Sequence, residues 1–438
     1  MSSHVETADY RGTEQLSEYV DALTEPDWAV EVRRKSLQRF AEMSWPTTQD
    51  EEWRRSDVSV YDFDSYAYGL PKEEPAESEP ALPDRTTASA SLTMEQWNGA
   101  TLSDEALKKG VQVMPLGAFL RSVEAAPTLH SEVLSALNRD VENIDHRIQA
   151  WHYSAYNCGV AIYVPSHVEL ADPIRVSVRA TGDERLIAPH LLVIAETGAS
   201  IRVVHTVTGD EDGEVLYNEG ATLVMKDGAG GDFQSYYDLN IDSIAFSHGF
   251  AYLGRDARLR HFTGAFGGMF AKHRTDVHVI GEGADAQING LYFAREDQHM
   301  DLRTVQYHEV GNGGSRTFYK GAVQDEGRTV YQGLIEVAHG ADQTDAYLTN
   351  NNLILNDGAR ADSIPSLKIE TDDVKCSHGS TTGKIDPEHL YYLETRGCSE
   401  IEAREIIVEG YFEEIAAKLD DSLAEQIRGV VHDRLVED

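Results

Sequence analysis

Residues 193–239 read VIAETGASIRVVHTVTGDEDGEVLYNEGATLVMKDGAGGDFQSYYDL. Short runs rich in Val, Ile, Tyr and Thr alternate here with Gly-Ala and Asp-Gly punctuation, at Gly198-Ala199, Gly220-Ala221 and Gly228-Ala229. β-Branched and aromatic residues fit a pleated surface, and Gly supplies the positive φ that a tight turn needs. The punctuation continues through Gly283-Ala284, Gly340-Ala341 and Gly358-Ala359. Residues 150–366 are therefore expected to be short strands joined by turns. The spacing is too irregular for a strict repeat, and a β-sandwich or barrel shows similar signs. Stacked apolar residues inside φ-tolerant turns nevertheless suit the rungs of a solenoid, a parallel β-helix.

Upstream of this region the period is helical. Residues 28–43 place Val32, Leu37 and Phe40 among the apolar positions and Arg33, Arg34, Lys35 and Arg39 among the polar ones, and Pro46 ends the helix. Residues 69–91 shift to Pro, Glu, Ala and Ser, with Pro71, Pro75, Pro80 and Pro83 in quick succession, the composition of a linker or mobile surface loop. Helical character returns at 103–109, where Ser103 is placed to cap, and at 128–137. The expected organisation is a helical region over 1–68, an acidic Pro-rich linker over 69–91, a mixed helical lead-in over 92–149, the β core over 150–384 and a helical region over 385–438.

Residues 371–384 read TDDVKCSHGSTTGK, a thiol and an imidazole two positions apart where strands give way to helices. If 374–378 is a strand, alternation puts Cys376 and His378 on one face with Cα atoms roughly 6–7 Å apart, within reach of one metal or cluster, and turns Lys375 and Ser377 the other way. A cysteine at a strand end is most often a small buried hydrophobe, so spacing alone leaves a structural role open.

Beyond it, Asp386 is an N-cap with Pro387 at the first helical position, and Gly397 ends that helix after Arg396. Ser399 and Glu402 are spaced as a capping box opening a second helix, whose Ile406, Ile407, Tyr411, Phe412 and Ile415 build an apolar face. A third segment covers 422–435. On their own these helices are expected to form a lid over the last rung of the solenoid, which otherwise stays open. Cys398 is expected to be a turn residue packing under that lid.

The 438 residues suffice for a substantial core. Lys and Arg number 38 against 75 Asp and Glu, a formal charge of −37 spread along the whole length. Long-range repulsion argues against nucleic acid and anionic membranes as partners. Such diffuse acidity, with Lys scarce beside Arg, suits a salt-rich cytoplasm where screening suppresses self-repulsion. Three cysteines, Cys158, Cys376 and Cys398, argue against a secreted disulfide framework. Residues 1–10 lack the basic and apolar regions of a signal peptide, and no apolar run reaches spanning length, so a soluble, cytoplasmic protein is expected.

Several groups of residues resemble a known family. Asp372-Asp373-Val374-Lys375-Cys376-Ser377-His378-Gly379, followed by Thr381, Gly383, Leu390-Tyr391-Tyr392-Leu393 and Arg396-Gly397, resembles the carboxy-terminal signature of the SufB/SufD family, subunits of the SUF iron–sulfur cluster assembly machinery. Residues 45–57, WPTTQDEEWRRSD, are similar to the family's P-x-x-x-x-E-x-W entry segment, an aromatic-rich hinge between helix and sheet. Tyr163-Val164-Pro165, the VIAETGA of 193–199, Tyr331-Gln332-Gly333-Leu334-Ile335, Thr344-Asp345-Ala346-Tyr347 and the NNNLIL of 350–355 look like family core motifs. The resemblance runs from about residue 28 to 412. It implies a mainly β fold, a right-handed parallel β-helix flanked by N-terminal and C-terminal α-helical regions. It also implies a SufB-like homologous subunit as partner and a SufC-like ABC ATPase docked on the C-terminal helices. Cys376 and His378 would lie at the interface of the two homologous subunits, where a transient iron–sulfur cluster forms. Whether a flavin joins the assembled complex is left open. Gly379 favours the D-type branch, since B-type sequences usually carry Glu after the matching His, and no cysteine-rich N-terminal motif appears.

Iron–sulfur clusters usually take four thiolates, and zinc sites about four donors. Cys158 is far away in sequence and Cys398 lies beyond a helix, so a stable cluster within this chain is not expected. Cys376 and His378 are instead read, through the resemblance, as half a site: transient ligands, or a thiolate–imidazole pair tuning reactivity. No Walker A motif is present, and Gly264-Ala265-Phe266-Gly267-Gly268 does not sit in a strand–helix pattern, so ATP hydrolysis is assigned to a partner and this chain is expected to be a non-catalytic scaffold. His248, His261 and His273, like His299 and His308, match no ligand spacing and are expected at exposed turns. Two alternatives are a SufB-like paralogue and a carbohydrate-active β-helix enzyme. Against the latter stand the missing export signal and the lack of an aromatic sugar-binding signature.

Overall fold

A computed structural model describes residues 10–75 and 80–436. Residues 1–9, on which the signal-peptide reading rests, and 76–79 of the expected linker lie outside the described residues.

From Ser200–Gly209 onward, successive strands cross to opposite sheets. Ser200–Gly209, Gly230–Asp238, Arg258–Ala265, Asp285–Ala294, Gly314–Val323, Asp345–Ile354 and Lys375–Lys384 stack in a ten-stranded sheet. Val215–Met225, Ile244–Leu253, Phe270–Val279, His299–His308, Arg328–Val337 and Arg360–Ile369 stack in a twelve-stranded one. The neighbours in both stacks are parallel; Ile244 lies beside Phe270 and Arg328 beside Arg360, so that rungs are 26 to 32 residues apart. The chain is a parallel β-solenoid with helices at both ends of the sequence, the mainly β architecture expected. One rung comprises two strands and two connections, which is why its turn signals recur at about half the rung length.

Gly228 and Gly283 take φ of +69° and +76° at the corners of the rungs, where an L side chain is strained. Gly220-Ala221, expected as a turn, lies instead inside Val215–Met225. A Cβ on Gly220 would collide with Nε2 of His152, so this glycine serves the close approach of a helix to the sheet.

Three apolar clusters hold the molecule together. The first fills the solenoid axis with inward residues of both sheets, among them Val176, Val203, Leu223, Ile288 and Leu348. The second packs the N-terminal helices on the outside of the twelve-stranded sheet through Phe40, Trp53, Leu137, Trp151, Phe246 and Phe250. Helix Asp27–Glu42 turns Val30, Val32 and Phe40 inward and buries Arg33, whose guanidinium bonds Glu25 at 2.7 and 2.5 Å and lies 3.2 Å above the Tyr156 ring. A buried cation is tolerated when its donors are satisfied in this way. Between Ala88 and Pro115, a stretch expected as linker and helical lead-in, three strands join the sheets: Ala88–Thr93, Gln96–Leu102 and Gln112–Pro115.

The third cluster overturns the expected lid. Helices Glu400–Ala416 and Asp421–Val436 pack Val408, Phe412, Ile415, Ile427 and Val431 against Phe262, Phe266, Leu291 and Phe293 on the outer face of the ten-stranded sheet. Arg434 reaches between the strands to donate to the Phe293 carbonyl at 2.7 Å and to Gln298 at 3.0 Å. The helices lie along the side of the solenoid because that face offers aromatic side chains to bury, and none of the described residues covers the end rung. On Glu400–Ala416 the buried stripe runs through Ala403, Val408, Phe412 and Ile415, whereas Ile406, expected to belong to it, is exposed.

The histidines read as exposed turn residues are also corrected. His248, His261, His273, His299 and His308 all lie on strands, and all but His299 are buried. Two hydrogen-bond a neighbouring rung, His248 to Asn218 at 3.2 Å and His273 to Ser247 at 2.8 Å, and His308 bonds Ser315 on the next strand of its own rung at 2.8 Å.

Candidate site at the open end of the solenoid

The two ends of the solenoid are finished differently. At the first rungs, antiparallel strands Gln96–Leu102 and Gln112–Pro115 close the ladder over buried Leu92 and Trp97. At the last, Lys375–Lys384 and Arg360–Ile369 are the terminal strands of their sheets, each following the ladder on one side only. Among the described residues no strand pairs the backbone N–H and C=O groups of their free edges. Leu367 and Ile369 continue the inward columns of buried Ile335 and Val337, yet each is 38% exposed, because no further rung among the described residues covers them. Pro365 interrupts one edge with a residue that has no N–H to give, which leaves Lys375–Lys384 as the more complete template for another strand.

Register places both candidate side chains. Cys376 stands beneath Ala346 and His378 beneath Leu348, and both of those are buried on the solenoid axis. His378 is thus the last member of a column running His261, Ile288, Thr317, Leu348. Parallel neighbours in register share a face, so Cys376 and His378 look inward at the mouth of the solenoid, while Ser377 follows outward-facing Tyr347.

Cys376 is half-buried against the axial cluster and His378 is exposed. Burial pushes the Cys376 thiol above its ordinary pKa; a backbone hydrogen bond from Ala346 lowers it in part, and the Asp345 carboxylate raises it. The thiol is therefore protonated at neutral pH, and binding a metal must displace that proton. His378 makes no side-chain hydrogen bond or ion pair among the described residues, leaving its ring nitrogens free as donors. One sulfur and one nitrogen can hold an iron ion only with help from elsewhere.

The other cysteines do not give that help. Cys158 is buried on Cys158–Val164 in the first rungs, with its thiol pushed well up by burial, and Cys398 is partly exposed between helices Pro387–Glu394 and Glu400–Ala416. A buried polar group on the axis was not among the sequence expectations. Glu219 accepts from His205 at 2.8 Å, from Tyr237 at 2.7 Å and from Tyr217. Burial pushes its carboxyl up, but His205 and these hydrogen bonds outweigh the burial and hold it below the ordinary carboxylate range. Strand parity marks these positions as inward, but their polar identity disguised them as surface.

A second exposed feature lies on the C-terminal helices. Pro387–Glu394 buries none of its residues, and its Tyr391 and Tyr392 are 68% and 57% exposed; Ile401 and Ile406 on the next helix are also exposed.

Residues 178–411 match the family model described as SUF system FeS cluster assembly, SufBD core domain. Among curated proteins, an iron–sulfur cluster assembly SufBD family protein of Mycobacterium bovis is 35% identical over 282 residues, covering 62% of this chain and 70% of that one. The iron–sulfur cluster assembly protein SufD of Escherichia coli is 37% identical over 191 residues, 43% of this chain and 45% of its own. The protein of the same name in Bacillus subtilis is 21% identical over 413 residues, 93% of both chains.

Proposed function

Since the chain belongs to the SufBD family and is a subunit of SUF iron–sulfur cluster assembly, we propose that it is a D-type, non-catalytic scaffold that completes its site against a homologous, SufB-like subunit. The observation that carries this reading is the uncovered last rung, where Cys376 and His378 sit at the mouth of an otherwise closed solenoid. A strand from the partner added to the edge of Lys375–Lys384 would satisfy the free backbone groups and cover Leu367 and Ile369. The same approach brings the partner's donors to the thiol and imidazole.

In this arrangement the cluster is cargo. Cys376 supplies sulfur ligation once its proton leaves, His378 supplies a nitrogen donor, and the small number of donors keeps the cluster transferable. The helices Pro387–Glu394 and Glu400–Ala416 present Tyr391, Tyr392, Ile401 and Ile406 to a SufC-like ABC ATPase, which would hydrolyse the ATP. Family membership takes the place of the carbohydrate-enzyme reading. Among the described residues no helix is long and apolar enough to cross a membrane.

Isolation of the native complex without oxygen through a tag on this chain tests the reading. A homologous subunit and an ABC ATPase are expected to accompany it. Recovery of the chain with neither would refute the proposal.

A further inference from the structure

The last helices carry a group of side chains that the assembly role does not use. Helix Glu400–Ala416 has six glutamates. Four have structural partners: Glu400 pairs with Arg404 at 3.2 Å, Glu402 accepts the Ser399 backbone N–H at 2.7 Å, Glu413 pairs with Arg428 at 2.7 Å, and Glu414 with Lys320 at 2.6 Å. Glu405 and Glu409 remain, one turn apart on one face of the helix. His432 of Asp421–Val436 meets them there, its Nδ1 hydrogen-bonded to the Glu405 carboxylate. Glu409 has no hydrogen bond or ion pair of its own among the described residues. One ligand atom from each of the three lies within 4.8 Å of the other two.

We infer that Glu405, Glu409 and His432 form a divalent-metal site that clips the two C-terminal helices together. Carboxylates four residues apart on a helix repel, and one imidazole brings at most a single positive charge to two of them. The neighbouring turn meets its two carboxylates, Glu413 and Glu414, with Arg428 and Lys320; this turn, also with two carboxylates, offers an imidazole nitrogen and two oxygens instead. That donor set, imidazole with carboxylate, suits zinc or another borderline first-row ion, and three protein ligands leave a position for water. Glu405 is 20% and His432 50% exposed at the side chain, so an ion reaches them from bulk solution with small rotations. The site is separate from the open end of the solenoid, and its fate does not depend on the proposed pairing.

The test uses the full chain, stripped with a chelator and titrated with Zn²⁺ against a chromophoric competitor. Wild type is compared with His432→Ala, Glu409→Gln and the control Glu413→Gln, which removes the adjacent ion pair but no ligand. Wild type and the control are expected to bind one zinc equivalent that both ligand variants bind roughly tenfold or more weakly. Zinc should also raise the thermal midpoint of wild type and control by more than that of either ligand variant. Should His432→Ala fold poorly, Glu409→Gln, at a group without a partner, carries the comparison. Equal stoichiometry, affinity and thermal response in wild type and Glu409→Gln would overturn the inference and leave Glu405–His432 as an ion pair only.

Discussion

On the proposed reading, the function of this chain concentrates at a thiol and a ring nitrogen two residues apart. The Cys376 pKa is raised, so the reactive thiolate is scarce at pH 7 and grows as pH climbs past the usual thiol range. Alkylation of the isolated chain, read by peptide mass spectrometry, should therefore label Cys376 slowly at pH 7 and faster with rising pH, and should leave buried Cys158 untouched until the protein unfolds; prompt labelling of Cys376 at pH 7 would contradict this. His378 is exposed and without a partner among the described residues, and its replacement by Ala should change stability by no more than about 0.5 kcal/mol, measured by denaturant titration, while cluster formation on the reconstituted complex falls. That both residues share a face was legible from strand alternation alone. That the shared face is the axis was not, because it depends on Ala346 and Leu348 one rung away. The buried histidines show the same limit: a neutral imidazole bonded to Ser247 on a neighbouring rung or to Ser315 on the next strand looks, in sequence, like one placed on a turn.

Strands and helices were legible to different depths. The caps at Asp386 and Ser399 are local, with side chains bonding backbone groups two and three residues on, and sequence located both. The docking place of the helices was not local; it is decided by Phe262 on one strand and Leu291 and Phe293 on the next strand of the sheet, and the expected lid became a side buttress. The same displacement frees the end strands, and one prediction belongs to them and another to the helices. Leu367→Asp with Ile369→Asp places charges on an edge that is solvent-exposed in the isolated chain, so the monomer should unfold nearly as wild type does, whereas affinity for the homologous subunit, measured by titration calorimetry, should fall more than about tenfold because unpaired charges would be buried. Tyr391→Ala with Tyr392→Ala should weaken binding of the ATPase subunit and spare both the thermal midpoint and the pairing of the two scaffolds. Loss of the pairing instead would place the interface on the helices.

Across the whole molecule, charge and buried imidazoles set the response to solution. The formal charge of −37 predicts that added KCl raises the thermal midpoint, by screening like charges that the folded state holds together; a flat dependence would argue against adaptation to a salt-rich cytoplasm. Burial lowers the pKa of His152, His261, His273, His299 and His308 to about 4, of His146 to about 3, and of His190 and His248 well below the ordinary value. Between about pH 6.5 and 4 the unfolded chain thus takes up protons that the folded one refuses, and stability drops as pH falls through that window; each tenfold loss of proton affinity on folding corresponds to about 1.4 kcal/mol for the group concerned. Asp140, raised by burial to about 7, opposes this, losing stability as pH rises toward neutrality, but it is a single buried carboxyl against eight histidines. Denaturation midpoints at pH 7 and pH 5 check the balance, with a higher midpoint expected at pH 7. The solenoid as a whole is a long closed stack with one open mouth, and on the proposed reading that mouth is half of a cluster site. The most direct measurement is the iron and sulfide content of the complex isolated without oxygen, carrying either the wild-type chain or one with Cys376→Ala and His378→Ala together. An intact complex with most of its cluster lost is expected from the double variant; an intact complex with undiminished iron and sulfide would contradict the half-site.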